Sequence, residues 1–417
     1  MPEINKIIFI ITQILQITIF VMGCYFFSIS IFGWIKRKEE DALSFPPEKK
    51  FALVIAAHNE ELVIAHIIDS LFRQNYPRHL YDVFVIADNC TDKTAEISKK
   101  HGANVFIREN RKQLGKGYAL EWMFDNIFSM DEKYDAISVF DADNLVSSNY
   151  LMEMNKQLVK GYKVIQGYID SKNPFDSWIT CSYSIAFWLS NRIFQLPRYH
   201  LELTCGLCGT GFCVDLEVLK RIGWGATCLT EDLEFTIKLA LNDIKVAWAH
   251  NAIVYDEKPI TLKQSWRQRK RWMQGHADCA SRYLLPLLKK SFKEYNLVSF
   301  DCAIYLFQPI RFILLGLATV MMWAQTIYPL SPFFNLKYII PTELWNIFVI
   351  LQFLYGPLVI LAEKKFNPII ILGFLIYPIY CLTWVPITIQ GFLGKNNKNW
   401  HHTMHTREIS ITELEKA

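Results

Sequence analysis

The sequence predicts an α/β domain set between α-helical membrane segments. Two observations carry that expectation. Short apolar runs rich in Val, Ile and Phe alternate with helix-like stretches between residues 50 and 260. Long, nearly uncharged apolar runs lie on both sides of that region. The composition agrees: 52% of the 417 residues are hydrophobic and 20% are charged. That is too apolar for an ordinary soluble chain and too charged for membrane helices alone. The net charge of +4 is small. It argues against a nucleic-acid partner, because binding phosphate backbones takes many cations.

The elements follow in order. Residues 7–34 are almost all apolar, and about 20 such residues suffice to span a bilayer. The run lacks a small-residue cleavage site, which disfavours a removable signal peptide. Lys36, Arg37 and Lys38 come next and place the following segment in the cytoplasm by the positive-inside rule. FALVIAA (51–57), YDVFVIAD (81–88), ANVFIRE (103–109) and DAISVFDAD (135–143) read as strands. Leu62, Ile64, Ile67, Ile68 and Leu71 have helical spacing, and 92–102 and 117–128 read as further helices. Such alternation suggests a parallel sheet covered on both faces, with ligands at the carboxyl ends of its strands.

After Lys290 the chain turns apolar again, with candidate membrane segments at 301–328, 344–362 and 369–393. Glu363, Lys364 and Lys365 between the last two look cytoplasmic. Four crossings would put the C-terminal tail outside, yet that basic, His-rich tail looks cytosolic. Pro378 and Pro386 could kink the last segment or make it re-entrant.

Several residues could carry chemistry, each with a plainer alternative. Asp88 closes the second strand, as a ligand-edge carboxylate or as a simple Asx-turn. Asp141 and Asp143 close the fourth strand. On an extended chain they point the same way, and two like charges together call for a cation, such as Mg²⁺ or Mn²⁺ with oxygen ligands. A solvated loop is the alternative. Lys116 sits between Gly115 and Gly117 before a helix, where anions are favoured. The Walker and GxGxxG patterns are both absent, which disfavours a nicotinamide or flavin fold. Thr230, Glu231 and Asp232 open a helix; they either cap it or supply Asp232 as a general base. Gly209, Thr210 and Gly211 line a channel or make a tight turn. WRQRKRW (266–272) places Gln268, Arg271 and Trp272 on one helix face, with Arg267 and Lys270 pointing elsewhere. Its cations and tryptophans also suit a membrane surface. Ten cysteines are scattered; Cys205-x-x-Cys208 and Cys213 lack the further ligands of a zinc site.

In this order the residues resemble a membrane-embedded family-2 glycosyltransferase, the group of cellulose, chitin, hyaluronan and poly-N-acetylglucosamine synthases. The resemblance covers about 50 to 290. It implies a GT-A fold and a cytosolic domain at 48–258. Around it would lie a membrane helix at 1–38, interfacial helices with the QxxRW motif at 259–298, membrane helices at 299–393 and a tail at 394–417. It also implies roles. Asp88 would contact the uracil of a UDP-sugar, with Asn59, Glu60, Lys116 and Asp141 also on the donor. Asp141 and Asp143 would hold Mg²⁺ or Mn²⁺. Asp232 would be the base, with Glu231 beside it, and Arg271 would neutralise the diphosphate. Trp272, Gln268, Gly209, Thr210 and Gly211 would face the acceptor.

The implied product is a β-linked polysaccharide made at a bacterial-type plasma membrane by inversion of an α-linked donor. A single sugar placed on a lipid is the alternative. Binding of a nucleotide sugar without turnover is a third reading. The few membrane segments make a narrow pore and leave room for an accessory membrane subunit. Trp400, Thr403 and His405 match a W-x-x-T-x-H tail seen in some bacterial members. His401, His402 and His405 either bind metal or lie in a solvated tail.

Overall fold

The computed structural model describes residues 2–35, 40–225, 227–327, 341–396 and 407–414. The basic Lys36–Lys38 run and the tail residues Trp400, Thr403, His401, His402 and His405 lie outside them.

The chain enters through helix α1 (Pro2–Ser30) and then builds an eight-stranded sheet. Its strands are β1 (Phe51–Ala57), β2 (Tyr81–Asp88), β3 (Asn104–Arg108), β4 (Ala136–Asp141), β5 (Leu145–Val146), β6 (Val164–Ser171), β7 (Phe212–Asp215) and β8 (Val246–Asp256). Helices α2 (Ile64–Phe72), α3 (Thr94–Lys100), α4 (Lys116–Phe128), α5 (Tyr150–Val159), α6 (Trp178–Ser190), α7 (Leu196–His200), α8 (Leu216–Ile222) and α9 (Glu231–Leu241) connect them. The four strands expected from sequence are present, with ends shifted by at most two residues. They form the parallel half, in spatial order β3-β2-β1-β4.

The expectation of a wholly parallel sheet is corrected in the second half. There the order continues β7-β6-β8-β5, and β7 runs antiparallel to both β4 and β6. The reason is local. Gly211 has φ +62° and turns the chain back beside β4; its N–H donates to the Val139 carbonyl at 2.8 Å. A side chain there would also strike Val254, 2.8 Å away.

Strand β1 is a continuous apolar run because both of its faces are covered. Ala52 and Val54 join a core with Leu120, Met123 and Phe124 of α4. Phe51, Leu53 and Ile55 join the opposite core with Ile64, Ile67 and Ile68 of α2. Each such Ile or Phe, fully withdrawn from water, contributes about 1.5–3 kcal/mol.

Helix α10 (Leu262–Glu294) carries WRQRKRW and starts at a capping box between Thr261 and Gln264. Tyr295, in the left-handed region, ends it, and α11 (Leu297–Ile327) follows. Then come α12 (Thr342–Ala362), α13 (Pro368–Leu382), α14 (Trp384–Leu393) and the short α15 (Ile411–Leu414). Among the described residues, Phe9–Gly33, Leu297–Ala318 and Pro368–Leu393 are long and apolar enough to cross a membrane. The expected segment 344–362 falls on α12, whose described apolar stretch is Phe353–Ala362.

The apolar helices are pinned to the sheet domain by ion pairs, one of them buried on both sides. Arg198 of α7 and Asp301 of α11 are 1% and 2% exposed and meet at 2.8 Å, and the Tyr25 hydroxyl of α1 donates to Asp301 at 2.8 Å. Between α12 and α13, Glu363 meets Arg192 at 3.1 Å and Lys365 meets Asp170 of β6 at 2.6 Å. Helices α13 and α14 lie along the domain. Gly373 approaches so close to α6 that a Cβ would sit 2.2 Å from the Cys181 sulfur, and Gly391 stands equally tight against Met273 of α10. The other face of α13 is apolar and open, with Leu372, Leu375 and Ile379 all more than half exposed.

Candidate active site

The register of the sheet builds the site. Ala57 pairs with Ala87, and Ala56 pairs with Asp141, so β1, β2 and β4 end level. His58, Asp88 and Asp141 therefore line one edge. The antiparallel β7 brings the preceding Gly209 and Thr210 to that edge, and β8 ends there at Asp256. The α9 N-terminus and one face of α10 close a cavity of about 310 Å³ over it. Of the residues singled out from sequence, Glu60, Asp88, Lys116, Asp141, Asp143, Gly209, Thr210, Glu231, Asp232, Gln268, Arg271 and Trp272 all line this cavity.

Asn59 and Gly211 do not line it. Asn59 has φ +56°, and its Oδ1 accepts from the Thr91 N–H at 2.7 Å, tying together the loops after β1 and β2. Gly211 packs behind the wall against Val254.

Asp88 is held rather than free. Arg108 is its opposite number in the β2–β3 register. The guanidinium Nη1 donates to Asp88 Oδ1 at 2.6 Å, and both side chains are under a tenth exposed. Asn89 Nδ2 donates to the same oxygen at 2.9 Å, and the His58 ring lies 2.7 Å from the Asp88 carbonyl. Burial pushes the Asp88 carboxyl above its ordinary range, against the opposing pull of Arg108. Arg108 is not among the residues expected from sequence. Its signal was a charged residue closing the strand VFIR beside one that ends in Asp.

The chain turns after Asp141, so the extended-chain argument for Asp141 and Asp143 does not hold. The two carboxylates take different partners. Asp141 forms an ion pair with Lys116, whose Nζ also donates to the Gly209 carbonyl at 2.7 Å. Asp143 is 2% exposed and accepts from the Glu257 N–H at 3.1 Å. Among the described residues no cluster of three or more His, Cys, Asp or Glu forms a protein-only metal cage. A pair of hard carboxylate oxygens on an open cavity suits a cation such as Mg²⁺, which keeps waters and shares substrate phosphates. The donor set therefore fits a divalent ion. Cys205, Cys208 and Cys213 do not converge: Cys205 donates to the Gln195 carbonyl at 3.3 Å, Cys213 is buried in β7, and Cys208 lines the cavity.

Thr230 stands at the N-cap of α9 without capping it. The expected Thr cap is thus not made, while Glu231 and Asp232 do stand in the first turn, where acids complement the helix dipole. Gly275 of α10 comes so near that a Cβ there would lie 2.3 Å from the Thr230 hydroxyl, so the residue is used in packing. Asp232 accepts from the neighbouring Leu233 N–H at 2.8 Å and lies beside Gly209, which has φ +79°. Burial, then repulsion by Glu231, pushes the Asp232 carboxyl up to about 7. Glu231 is also raised, chiefly by burial. Lys116 stays cationic, because Asp141 and Glu231 outweigh the burial that would lower it. A carboxylate poised near neutrality in a cavity suits proton transfer.

Gln268, Arg271 and Trp272 share one face of α10 and meet the cavity, as the helical spacing predicts. Tyr183 of α6 donates to Gln268 Oε1 at 3.0 Å. The cluster is not all surface anchor: Arg269 is 0% exposed, beneath Tyr380 and Trp384. Glu234, two residues past Asp232, is 1% exposed and was also missed. It accepts from Arg282 at 2.8 Å, Tyr283 at 2.9 Å and Thr227 at 2.9 Å, joining α9, α10 and the cavity loop.

Residues 46–275 match the family model described as glycosyltransferase like family 2. The chain is 24% identical over 382 residues to a probable glycosyltransferase of Bacillus subtilis, YdaM, covering 85% of this chain and 86% of that one. It is 28% identical over 271 residues to the β-monoglucosyldiacylglycerol synthase of Nostoc, covering 61% of this chain and 55% of the relative. It is 25% identical over 261 residues to the poly-β-1,6-N-acetyl-D-glucosamine synthase of Staphylococcus epidermidis, covering 60% of each. The chain thus spans little more than half the length of these last two relatives. Among solved structures, a mannosyltransferase from Pyrobaculum calidifontis, in complex with GDP-mannose and Mn²⁺, has a TM-score of 0.61 at 14% identity. The match covers 93% of this chain and 99% of that one.

Proposed function

The chain belongs to glycosyltransferase like family 2 with a GT-A fold, and we propose that it moves a sugar from a UDP-sugar to an acceptor hydroxyl at a membrane surface, with inversion. The observation that carries this is the convergence of Asp232, Asp88, Asp141, Asp143 and Arg271 on one cavity, and the raised Asp232 carboxyl supports it.

Each residue has work that follows from its place. Asp88, held by Arg108, presents a carboxylate oxygen to a base N–H. Asp141 and Asp143 would hold Mg²⁺ or Mn²⁺, which when bound neutralises the diphosphate of the leaving group. Lys116 and Arg271 add fixed positive charge at the same end of the cavity, where negative charge develops on UDP. Asp232 accepts the proton of the acceptor hydroxyl as its oxygen attacks the anomeric carbon. Trp272 offers a ring face to the acceptor, and Gln268, braced by Tyr183, stands beside it. A β-linked polysaccharide and a glycolipid share all of this chemistry. They diverge only beyond Trp272.

The anchoring contacts also support a topology. The ends of α1, α11 and α12 that touch the sheet domain all lie on one side. The link into α13 is held on that side at Lys365, and α14 ends on it, where Gln274 Nε2 donates to the Gly394 carbonyl at 2.8 Å. We therefore place α1, α11 and α12 as crossings and α13–α14 as a re-entrant or interfacial pair. In this arrangement the catalytic domain and the C-terminus would share the cytoplasmic side.

The test is UDP release and sugar transfer by membranes holding only this protein, compared with Asp232→Asn. Transfer lost in the variant with UDP affinity kept supports the reading; equal turnover by the two overturns it. A C-terminal reporter that reads extracytoplasmic would overturn the topology alone.

A further inference from the structure

The loop that leads into α9 holds a thiol over the cavity. Thr227, Cys228, Leu229 and Thr230 all line it, just ahead of Glu231 and Asp232. Both ends of this loop are fixed. The Thr227 hydroxyl donates to Glu234 at 2.9 Å and accepts from Arg282 at 3.0 Å, while Thr230 packs on Gly275. Between them, the Cys228 sulfur lies 3.6 Å from that of Cys279 on α10. Cys228 is half-buried and reaches the cavity. Cys279 is 0% exposed and packs with Leu233 and Ile237 of α9. One thiol of the pair thus opens on the cavity and the other stands behind it.

Hydrogen bonding makes the two sulfurs unequal. The Cys279 S–H donates to Cys228, and that bond holds the Cys228 thiol below its ordinary range. The same bond, then burial, pushes Cys279 up. Cys208, which also lines the cavity, is pushed up to about 12 by burial. The thiolate is the reactive form of a cysteine, and oxidation-sensing sites pair an accessible, acidic thiol with a resolving one. Closing the pair moves the loop. A disulfide holds its sulfurs about 2 Å apart, so the present 3.6 Å separation must shrink by about 1.5 Å. With Thr227 and Thr230 held, that movement pulls on the start of α9, where Asp232 stands.

Resting on the transfer reaction proposed above, we infer that Cys228 and Cys279 are a peroxide-reactive thiol pair whose disulfide slows sugar transfer. The Cys228 thiolate takes one oxygen from hydrogen peroxide and becomes a sulfenic acid, and hydroxide leaves. The Cys279 sulfur then attacks the Cys228 sulfur. The S–O bond breaks, and its hydroxyl leaves as water with the Cys279 proton. Two thiols are oxidised, and one peroxide is reduced to two waters. Cytoplasmic thiols are kept reduced, so the bond is transient and thiol exchange reverses it. While it lasts, the loop is drawn to α10 and Asp232 is displaced. A misplacement of about 1 Å can cost on the order of 10² in rate.

Membranes holding the full chain, treated with hydrogen peroxide and then cleared with catalase, test this by two readouts. Thiol alkylation with mass spectrometry reads the link, and a panel of labelled UDP-sugars with Mn²⁺ reads transfer. The wild type gives a cross-linked peptide pair containing Cys228 and Cys279, with transfer lowered about tenfold or more; dithiothreitol reverses both. Cys279→Ala transfers sugar like the untreated wild type and forms no link, and peroxide oxidises its Cys228 beyond recovery by dithiothreitol. If that variant does not fold, Cys228→Ser keeps its rate through the treatment and reads the same control. Two alkylated thiols after peroxide overturn the inference, as does a link that leaves transfer unchanged, and neither touches the transfer reaction. Absence of UDP release from the reduced wild type removes that reaction, and the control of it as well.

Discussion

Lys116 and Asp141 form an ion pair on the floor of the cavity, with the same ammonium also held by the Gly209 carbonyl at 2.7 Å. The lysine supplies the positive charge that a metal and a donor would otherwise bring to two neighbouring carboxylates. Replacing it with Met removes a competitor for the metal and a partner for the diphosphate. Lys116→Met should bind Mn²⁺ alone several-fold more tightly and UDP about tenfold more weakly. Titration calorimetry with each ligand reads both changes, and parallel weakening of the two would contradict the competition.

As the proposed base, Asp232 would set the pH dependence. Its carboxyl, raised to about 7, must be ionised to act as a base. kcat/KM should therefore rise through about pH 7 and level off above it. Asp232→Asn should lower transfer by about 10² or more and abolish this limb. The stability consequence has the opposite sense. A folded-state pKa above the unfolded value means that the folded state holds more protons in between, so stability falls as pH rises through that window. Thermal melts should show Asp232→Asn more stable than the wild type at pH 8, and little different at pH 4.

Arg108 is expected to matter without touching the sugar. Its pair with Asp88 is buried on both sides, and removing one partner strands the other. Arg108→Met should cost about 3–5 kcal/mol in unfolding measurements and raise the KM for the donor. Unchanged stability and KM would show that Asp88 does not depend on it.

If Trp272, which lines the cavity, stacks on the acceptor as proposed, Trp272→Ala should reduce transfer to acceptor more than UDP release to water. Equal loss of both activities would remove the stacking role.

Much of this site was legible because its residues close predicted elements. The level ends of β1, β2 and β4 follow from runs of similar length, and that register brings Asp88 and Asp141 to one edge. The i, i+3, i+4 spacing of Gln268, Arg271 and Trp272 survives folding unchanged. What stayed hidden depends on distant partners. Neither the antiparallel β7, made by a turn at Gly211, nor the buried place of Arg269 under α13 and α14 leaves a local signature. Glu234 reads as one more acid in a helix until Arg282, 48 residues away, reaches it. The last apolar segment is long and apolar enough to cross a membrane, as expected; that one face of it packs on α6 and α10 through Gly373 and Gly391 leaves no mark in the composition.

The most direct test of the central claim is a donor assay on membranes containing only this protein, wild type beside Asp232→Asn, with a panel of nucleotide sugars and Mg²⁺ or Mn²⁺. In the wild type one UDP-sugar should release UDP and pass its label to an acceptor, metal-dependently, and neither should occur in the variant. Equal release by the two proteins, or none from any donor in the wild type, would contradict it.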